Sequence, residues 1–143
     1  MLVGGDGAGR ERGWLLSPAV VVGAGEGSAL LTEETFGPVA PVLRVGSLDE
    51  AIAKANALPY GLGACVATKR LDYAMRCLED LKAGTVWIND PLTDNDAGPF
   101  GGMKRSGNAR ELGLEGLESF RDTKHVHLDV KADRKPWWYP YGG

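Results

Sequence analysis

Short apolar runs alternate with amphipathic stretches through the middle of the chain. In chain order they predict a strand at 39–45, a helix at 48–56, a strand at 62–67, a helix at 71–81 and a strand at 85–88. Because strands that alternate with helices need crossover connections, this order predicts an α/β fold with a mainly parallel sheet and covering helices. Ligands bind such sheets at the carboxyl ends of the strands. The polar loop from Asn89 to Gly98, which follows a strand, is therefore the expected wall of a cleft.

The segments on either side have weaker patterns. We expect a glycine-rich loop over 1–13, strands at 14–16 and 19–22, a helix over 110–121 and a strand over 124–130. Ser47 and Glu50 have the spacing of a capping box, in which the two side chains bind the first amides of a helix. The start of the first helix is therefore the best-defined boundary in the chain.

The composition is that of an ordinary globular chain, and it narrows the function. Of 143 residues, 43% are hydrophobic and 24% are charged, which suffices for one domain with a core. The net charge of -3, with basic residues scattered along the chain, argues against a nucleic-acid partner. The sequence has no apolar stretch of about 20 residues to span a bilayer and no export signal. Two cysteines are too few for a disulfide framework, so we expect a soluble, cytoplasmic protein.

The glycines that follow residue 22 invite comparison with a dinucleotide-binding fingerprint. That motif needs a third glycine where Ser28 stands, and then a helix whose N-terminus holds a pyrophosphate. Only about nine residues separate Ser28 from Gly37, which leaves no room for that helix. A plain glycine-rich loop is the preferred interpretation, and a small nucleotide-binding module around Gly23 is the disfavoured one.

Two further runs combine residue types that ordinary connecting loops seldom combine. In 33–39 two glutamates lead into Thr-Phe-Gly-Pro, so a helix cannot continue and the carboxylates are presented at a turn. In 99–107, which reads PFGGMKRSG, a proline fixes the backbone before Phe100 and a glycine pair permits a bend. Together these runs resemble two signature segments of the NAD(P)-dependent aldehyde dehydrogenases, and the resemblance extends along nearly the whole chain.

The resemblance implies a place in a larger fold and a reaction. The chain is similar to the C-terminal third of an aldehyde dehydrogenase, with 1–121 as part of the catalytic domain and 122–143 as an oligomerisation strand and aromatic tail. In this family a cysteine thiolate adds to an aldehyde, hydride passes to NAD or NADP, and a glutamate-activated water releases the acid. The nucleophile, that glutamate and the glycine-rich cofactor loop match nothing in the chain and are expected upstream. The chain alone should therefore be inactive.

Glu34 and Phe36 are the expected cofactor-binding residues. A carboxylate can accept hydrogen bonds from both hydroxyls of a ribose, and a rigid turn would hold it ready for binding. By resemblance, Glu34 binds the nicotinamide ribose and Phe36 packs beside the nicotinamide. Thr35 stands where the family more often has an aliphatic residue, which leaves both roles intact. Taken alone, the run is also compatible with an exposed acidic pair before a core aromatic.

Leu92, Asp94 and Phe100 are the expected substrate-binding residues. Phe100 offers apolar area at small conformational cost, and by resemblance it lines the aldehyde tunnel whose width the preceding loop sets. The aspartates at 90, 94 and 96 have two interpretations. They form either a solvated acidic loop or an acidic mouth that favours cationic substrates such as aminoaldehydes or betaine aldehyde.

The remaining reactive side chains lack a catalytic pattern. Cys65 lies in the middle of a predicted strand and Cys77 on an amphipathic helix, and neither has the setting of a reactive thiolate. His125 and His127 share one face of a predicted strand, but no third ligand lies close in sequence. We therefore expect no catalytic residue and no metal site in this chain.

The C-terminal residues point to assembly. Residues 124–130 resemble the strand that pairs with a neighbouring subunit in this family, which implies a homo-oligomer. Residues 135–141 form a dense aromatic patch that we expect to cover a subunit groove, with a membrane surface disfavoured. The alternative to an enzyme part is a truncated, non-catalytic chain that acts only through its oligomerisation surface. The sequence leaves open which aldehyde is oxidised and whether NAD or NADP is used.

Overall fold

The computed structural model of the chain describes residues 2–7, 9 and 12–138, and the aromatic tail beyond Trp138 lies outside the described residues. The strands are β1 Leu2–Val3, β2 Ala19–Val22, β3 Val39–Val42, β4 Tyr60–Gly61, β5 Gly63–Val66, β6 Thr85–Ile88, β7 Phe100–Gly101, β8 Met103–Lys104 and β9 Arg110–Glu111. The helices are α1 Ala29–Thr32, α2 Leu48–Ala57, α3 Leu71–Asp80 and α4 Gly113–Glu118.

The fold is α/β, as the order of apolar runs predicts, and its longest strands form parallel pairs. β2 and β3 pair with Ala19 opposite Val39, and β5 and β6 pair with Gly63 opposite Thr85. The remaining pairs are antiparallel: β1 with β2, β4 with β8, and β7 with β9. Within this chain the predicted strands at 39–45 and 62–67 lie in different sheets. Apolar runs identify strands, but they do not fix which strands become neighbours.

The two long helices match their predicted positions closely. At the start of α2, the amide of Glu50 donates to the Ser47 hydroxyl at 3.1 Å. The Glu50 carboxylate in turn accepts from the amide of Gly46 at 2.7 Å, one residue earlier than a standard capping box has it. α3 follows the apolar spacing of 71–81 and buries Ala74 and Cys77. Local capping and helical periodicity therefore suffice to locate these elements.

Three sequence expectations on the flanking segments are wrong in this structure, and a fourth is not tested by a single chain. Residues 2–3 form β1 inside the expected glycine-rich loop, because they pair with β2, and 14–16 form no strand. The expected helix over 110–121 is shortened to α4, because Arg110–Glu111 pairs with β7 and Leu112 has a φ of 60°. Residues 122–129 have no strand. A strand needs a hydrogen-bonding partner, so pairing of 124–130 with another subunit stays a prediction.

The described part of the chain buries few side chains completely. The buried apolar residues are Ala19, Ile52, Ala74 and Cys77. The accessible surface is 11768 Å², whereas a compact monomer of 15.2 kDa is expected to expose about 7,100 Å². Large apolar side chains such as Trp14 and Phe120 are 105% and 90% exposed. The chain therefore presents much more surface than an independent globular domain of its size.

Candidate functional site

The first cavity lies beside Glu34, which stands in the segment between α1 and β3. Its volume is about 290 Å³, and it is lined by Glu34, Ala55, Asn56, Leu58, Tyr60, Gly61, Leu62, Gly63, Ala64, Leu81, Lys82, Ala83 and Ser106. The lining is largely apolar, and its charged residues are Glu34 and Lys82. Phe36, two residues on, has a φ of 43° and is 92% exposed, and it does not line this cavity. The structure thus brings Glu34, but not Phe36, to the pocket.

The second cavity lies at the loop that follows β6, where the sequence predicts a cleft wall. Its volume is about 330 Å³, and it is lined by Gly84, Thr85, Val86, Thr93, Asp94, Asn95, Gly98, Pro99 and Phe100. Asp94 and Phe100 therefore line the same cavity, and the substrate roles given to them stay predictions. Leu92 is 82% exposed and lies outside its lining, so the substrate role given to it stays a prediction.

The wall beside Phe100 is fixed by a second aromatic residue. The Trp87 and Phe100 ring centroids are 6.4 Å apart with their planes at 33°, within the range of favourable aromatic pairs. The Trp87 indole N–H donates to the carbonyl oxygen of Thr93 at 2.8 Å. Trp87 thus joins the loop that carries Asp94 to strand β6. These contacts help to keep Asp94 and Phe100 on the same cavity.

The two cavities are neighbours along two stretches of chain. Lys82 and Ala83 line the first cavity, and the next residues, Gly84 and Thr85, line the second. Segment 100–107 likewise begins with Phe100 in the second cavity and contains Ser106 in the first. The two cavities therefore share the same two stretches of chain as walls.

Segment 100–107 packs so closely against neighbouring backbone that Gly84 and Gly101 have no room for a side chain. A Cβ at Gly84 would lie 1.7 Å from the carbonyl oxygen of Gly101, and one at Gly101 would lie 2.2 Å from that of Ala109. Arg110 donates from Nη1 to the carbonyl oxygen of Gly102 at 2.9 Å. The glycine pair of the signature is thus needed for close backbone packing.

Two residues of the signature that sequence reasoning did not single out fasten it to the first cavity. The Ser106 hydroxyl accepts from the amide of Gly61 at 3.1 Å, and Lys104 donates to carbonyl oxygens at and just beyond the C-terminal end of α2. Both lie in the run 99–107 that carries the resemblance. Polar side chains inside a glycine-rich run are the available signal, but the sequence does not show which distant backbone groups they bind.

None of the cysteines or histidines lines either cavity. Cys77 is 2% exposed, and burial raises the pKa of its thiol, which disfavours the thiolate a nucleophile needs. Cys65 is exposed on β5, outside either lining. In the part of the chain that the structure describes, no three His, Cys, Asp or Glu residues converge on a metal position.

The glycine-rich loop after β2 leads into only one helical turn, α1, whose four residues follow Ser28. This agrees with the expectation that residues 23–28 do not lead into the longer helix of a dinucleotide fingerprint.

No described helix is long and apolar enough to cross a membrane.

Comparison with known proteins gives the family. The chain matches the aldehyde dehydrogenase family over residues 1–126, and it therefore belongs to that family. It is 42% identical to a mitochondrial aldehyde dehydrogenase of Equus caballus over 129 residues, which cover 90% of this chain and 26% of that protein. The chain thus spans about a quarter of the length of the curated relatives it matches.

Solved structures give the same fold. The NAD-dependent aldehyde dehydrogenase of Sinorhizobium meliloti superposes with a TM-score of 0.82 at 37% identity, covering 96% of this chain and 27% of that one. An aldehyde dehydrogenase from Bacillus cereus, solved as its NAD+ complex, gives a TM-score of 0.79 at 38% identity, with 90% of this chain and 27% of that one covered. Both likenesses extend over most of the present chain.

Proposed function

We propose that this chain forms the C-terminal part of an NAD(P)-dependent aldehyde dehydrogenase, in which it supplies walls of the cofactor and substrate sites. The observation that carries the proposal is the joining of two cavities by segment 100–107, one with Glu34 and the other with Asp94 and Phe100. The enzyme would oxidise an aldehyde to a carboxylic acid with NAD or NADP as hydride acceptor. Membership of the family supports this reaction class.

Glu34 is the proposed ligand of the nicotinamide ribose. Its carboxylate has acceptors for two ribose hydroxyls, and the cavity beside it has room for a sugar and part of the attached ring. When bound, the cofactor supplies the hydride acceptor. The contribution of Glu34 is orientation, because hydride transfer depends on short, aligned donor and acceptor positions. Phe36, whose ring is 92% exposed in this chain, would then pack against the nicotinamide.

Asp94 and Phe100 are the proposed substrate contacts, and Leu92 would lie further out on the same loop. A ring and a carboxylate on one cavity suit an aldehyde that carries an ammonium group, since the ring face and the anion both attract a cation. We therefore propose betaine aldehyde or an aminoaldehyde as the substrate class. Asp90 and Asp96 would add to the negative potential at the entrance.

The nucleophile and the water-activating glutamate would come from another part of the protein. Cys77 is buried with a raised thiol pKa, and Cys65 lies outside both cavities. The chain alone is therefore inactive in this proposal, and aldehyde turnover by the purified chain would contradict it. The large apolar surface would be covered by the remainder of the enzyme and by a second subunit in a homo-oligomer. Two free thiols suit a cytoplasmic location.

A second candidate is a non-catalytic chain that acts only through an oligomerisation surface. The exposed apolar side chains near its end favour this reading, since Val126 is 73% and Trp137 77% exposed. The two candidates differ in the size of the native polypeptide. An enzyme part predicts that an antibody against residues 122–138 detects a polypeptide about four times as long as this chain. The alternative predicts a polypeptide of 143 residues.

The role of Glu34 is tested by titrating the labelled chain with nicotinamide mononucleotide and following amide chemical shifts by NMR. We expect millimolar binding, of about -4 kcal/mol, with shifts at Gly61, Gly63 and Ser106. Glu34→Gln should weaken binding about tenfold, since hydrogen bonds to a charged acceptor contribute about 1.5 to 3 kcal/mol.

Glu33→Gln is the matched control, because it removes a neighbouring charge from the same turn and Glu33 does not line the cavity. Equal affinity of Glu34→Gln and the parent chain would contradict the assignment, as would shifts confined to residues away from the first cavity.

A further inference from the structure

The ammonium group of Lys104 lies among three backbone carbonyl oxygens at the C-terminal end of α2. Its Nζ donates to the oxygens of Asn56 and Leu58, each at 3.0 Å, and to that of Tyr60 at 3.3 Å. An ammonium group has three donors and no acceptor, so these bonds use its whole donor set. The position also suits a cation because the last carbonyls of a helix carry partial negative charge.

Lys104 reaches this position from a left-handed backbone conformation, with a φ of 56°. Residues with a Cβ seldom adopt it, and such outliers persist where the surrounding structure holds them. β8 pairs with β4 so that Lys104 lies opposite Tyr60, and the amide of Arg105 donates to the carbonyl oxygen of Pro59 at 3.0 Å. Backbone and side chain together fix this part of the signature to residues 56–61.

The residues that Lys104 holds belong to the first cavity, and its own segment reaches the second. Asn56, Leu58 and Tyr60 all line the cavity beside Glu34, whereas Phe100 at the start of segment 100–107 lines the other. A displacement of the segment would therefore change both cavities together. We propose that Lys104 is a positioning residue whose ammonium group sets the placement of the two cavities relative to each other. This inference rests on the proposed function only where it takes the cavities as cofactor and substrate sites.

The test removes the ammonium group and then restores it from solution. In Lys104→Ala the amides of Gly61 and Arg105, which donate to Ser106 Oγ and the Pro59 oxygen, should exchange with solvent about tenfold faster. Amides in the middle of α3 should keep their rates. The indole N–H resonance of Trp87, which reports the second cavity through its bond to Thr93, should shift. Lys69→Ala removes a charge from an exposed loop before α3 and should change none of these.

Added n-propylammonium replaces the atoms lost in Lys104→Ala and should restore slow exchange and the Trp87 resonance. Tetramethylammonium has the charge without an N–H donor and should not. Lys104→Met keeps an unbranched apolar side chain but removes the charge. If Lys104→Ala does not fold, amide exchange in Lys104→Met is compared with that of the parent chain instead.

Several results would overturn the inference. In Lys104→Ala they are unchanged exchange at Gly61 and Arg105, equal acceleration of all amides, or an unshifted Trp87 resonance. Equal restoration of Lys104→Ala by tetramethylammonium and by n-propylammonium would also contradict the inference. So would exchange rates in Lys104→Met that equal those of the parent chain. Because no cofactor is added, the outcome of this experiment is independent of the Glu34 titration. Either experiment can fail while the other succeeds.

Discussion

The middle region, residues 47–111, and the C-terminal region, residues 119–138, differ in what holds them in place. In the middle region, side chains bond to elements far away in sequence. Asn56 donates to the carbonyl oxygen of Asp80 at 2.7 Å and accepts from the amide of Lys82 at 2.8 Å, which joins the ends of α2 and α3. The Asn89 amide group bonds both backbone groups of Thr68 in the same manner.

The C-terminal region is held by local contacts. Asp129 accepts from the amides of Lys131 and Ala132 and forms an ion pair with Lys135, which lowers the pKa of the Asp129 carboxyl. Its apolar side chains remain exposed, including Phe120, Val126, Leu128, Val130 and Trp137. Both regions resemble the same family, yet only the middle region finds its partners within the described chain. Resemblance therefore identifies a segment without showing that the segment is self-sufficient.

The largest expected effect comes from overfilling the packing between β6 and segment 100–107. Gly84→Ala would place a methyl group 1.7 Å from the carbonyl oxygen of Gly101, where only the backbone can move. We expect a loss of about 3 kcal/mol or more in the free energy of unfolding, measured by urea denaturation. Gly25→Ala is the control, because a Cβ there meets nothing within 4 Å. Equal stability of the two variants would show that the middle region is looser than its geometry indicates.

The sequence predicts the elements of the middle region better than the contacts between them. The Ser47 and Glu50 spacing locates the start of α2, and apolar periodicity locates α3, because both signals are local. Lys104 reaches carbonyls 44 to 48 residues away from a left-handed backbone, and no local pattern encodes that reach. The sequence predicts Asp94 and Phe100 for one site because they lie close together in the chain, in and directly after the loop that follows β6. Residues 124–130 alternate like a strand, but the partner that a strand needs is not determined by its own pattern.

A smaller effect should separate the two cysteines of the middle region. Cys77 is 2% exposed and burial raises the pKa of its thiol, whereas Cys65 is exposed. In Cys65→Ser the remaining thiol should react with iodoacetamide at least about tenfold more slowly in the native chain than in urea. In Cys77→Ser the two rates should be similar. Fast native alkylation of Cys77 would indicate that α3 opens readily, which would weaken the contrast between the regions.

The same raised pKa gives a direction for the pH dependence of stability. The folded state holds the Cys77 proton at pH values where the unfolded chain begins to lose it. The stabilising contribution is therefore complete below the ordinary thiol pKa of about 8.5 and is lost as pH rises through the raised folded value. Urea denaturation of Cys65→Ser between neutral and alkaline pH should show this decrease, and Cys77→Ser should lack it. A parallel decrease in both variants would assign the effect to other groups.

The smallest effect on stability should follow from removing the C-terminal residues. Because the hydrogen bonds and ion pairs described for residues 119–138 join residues that are close in sequence, deleting 124–143 should change the free energy of unfolding by less than about 0.5 kcal/mol. It should nevertheless reduce self-association, measured by light scattering, because exposed apolar side chains and unpaired backbone are removed. Val126→Lys combined with Leu128→Lys keeps the length and should have the same effect on association. A loss of stability above about 1 kcal/mol on deletion would mean that these residues pack on the middle region after all. Unchanged association in both variants would remove the support for an oligomerisation surface at 124–130.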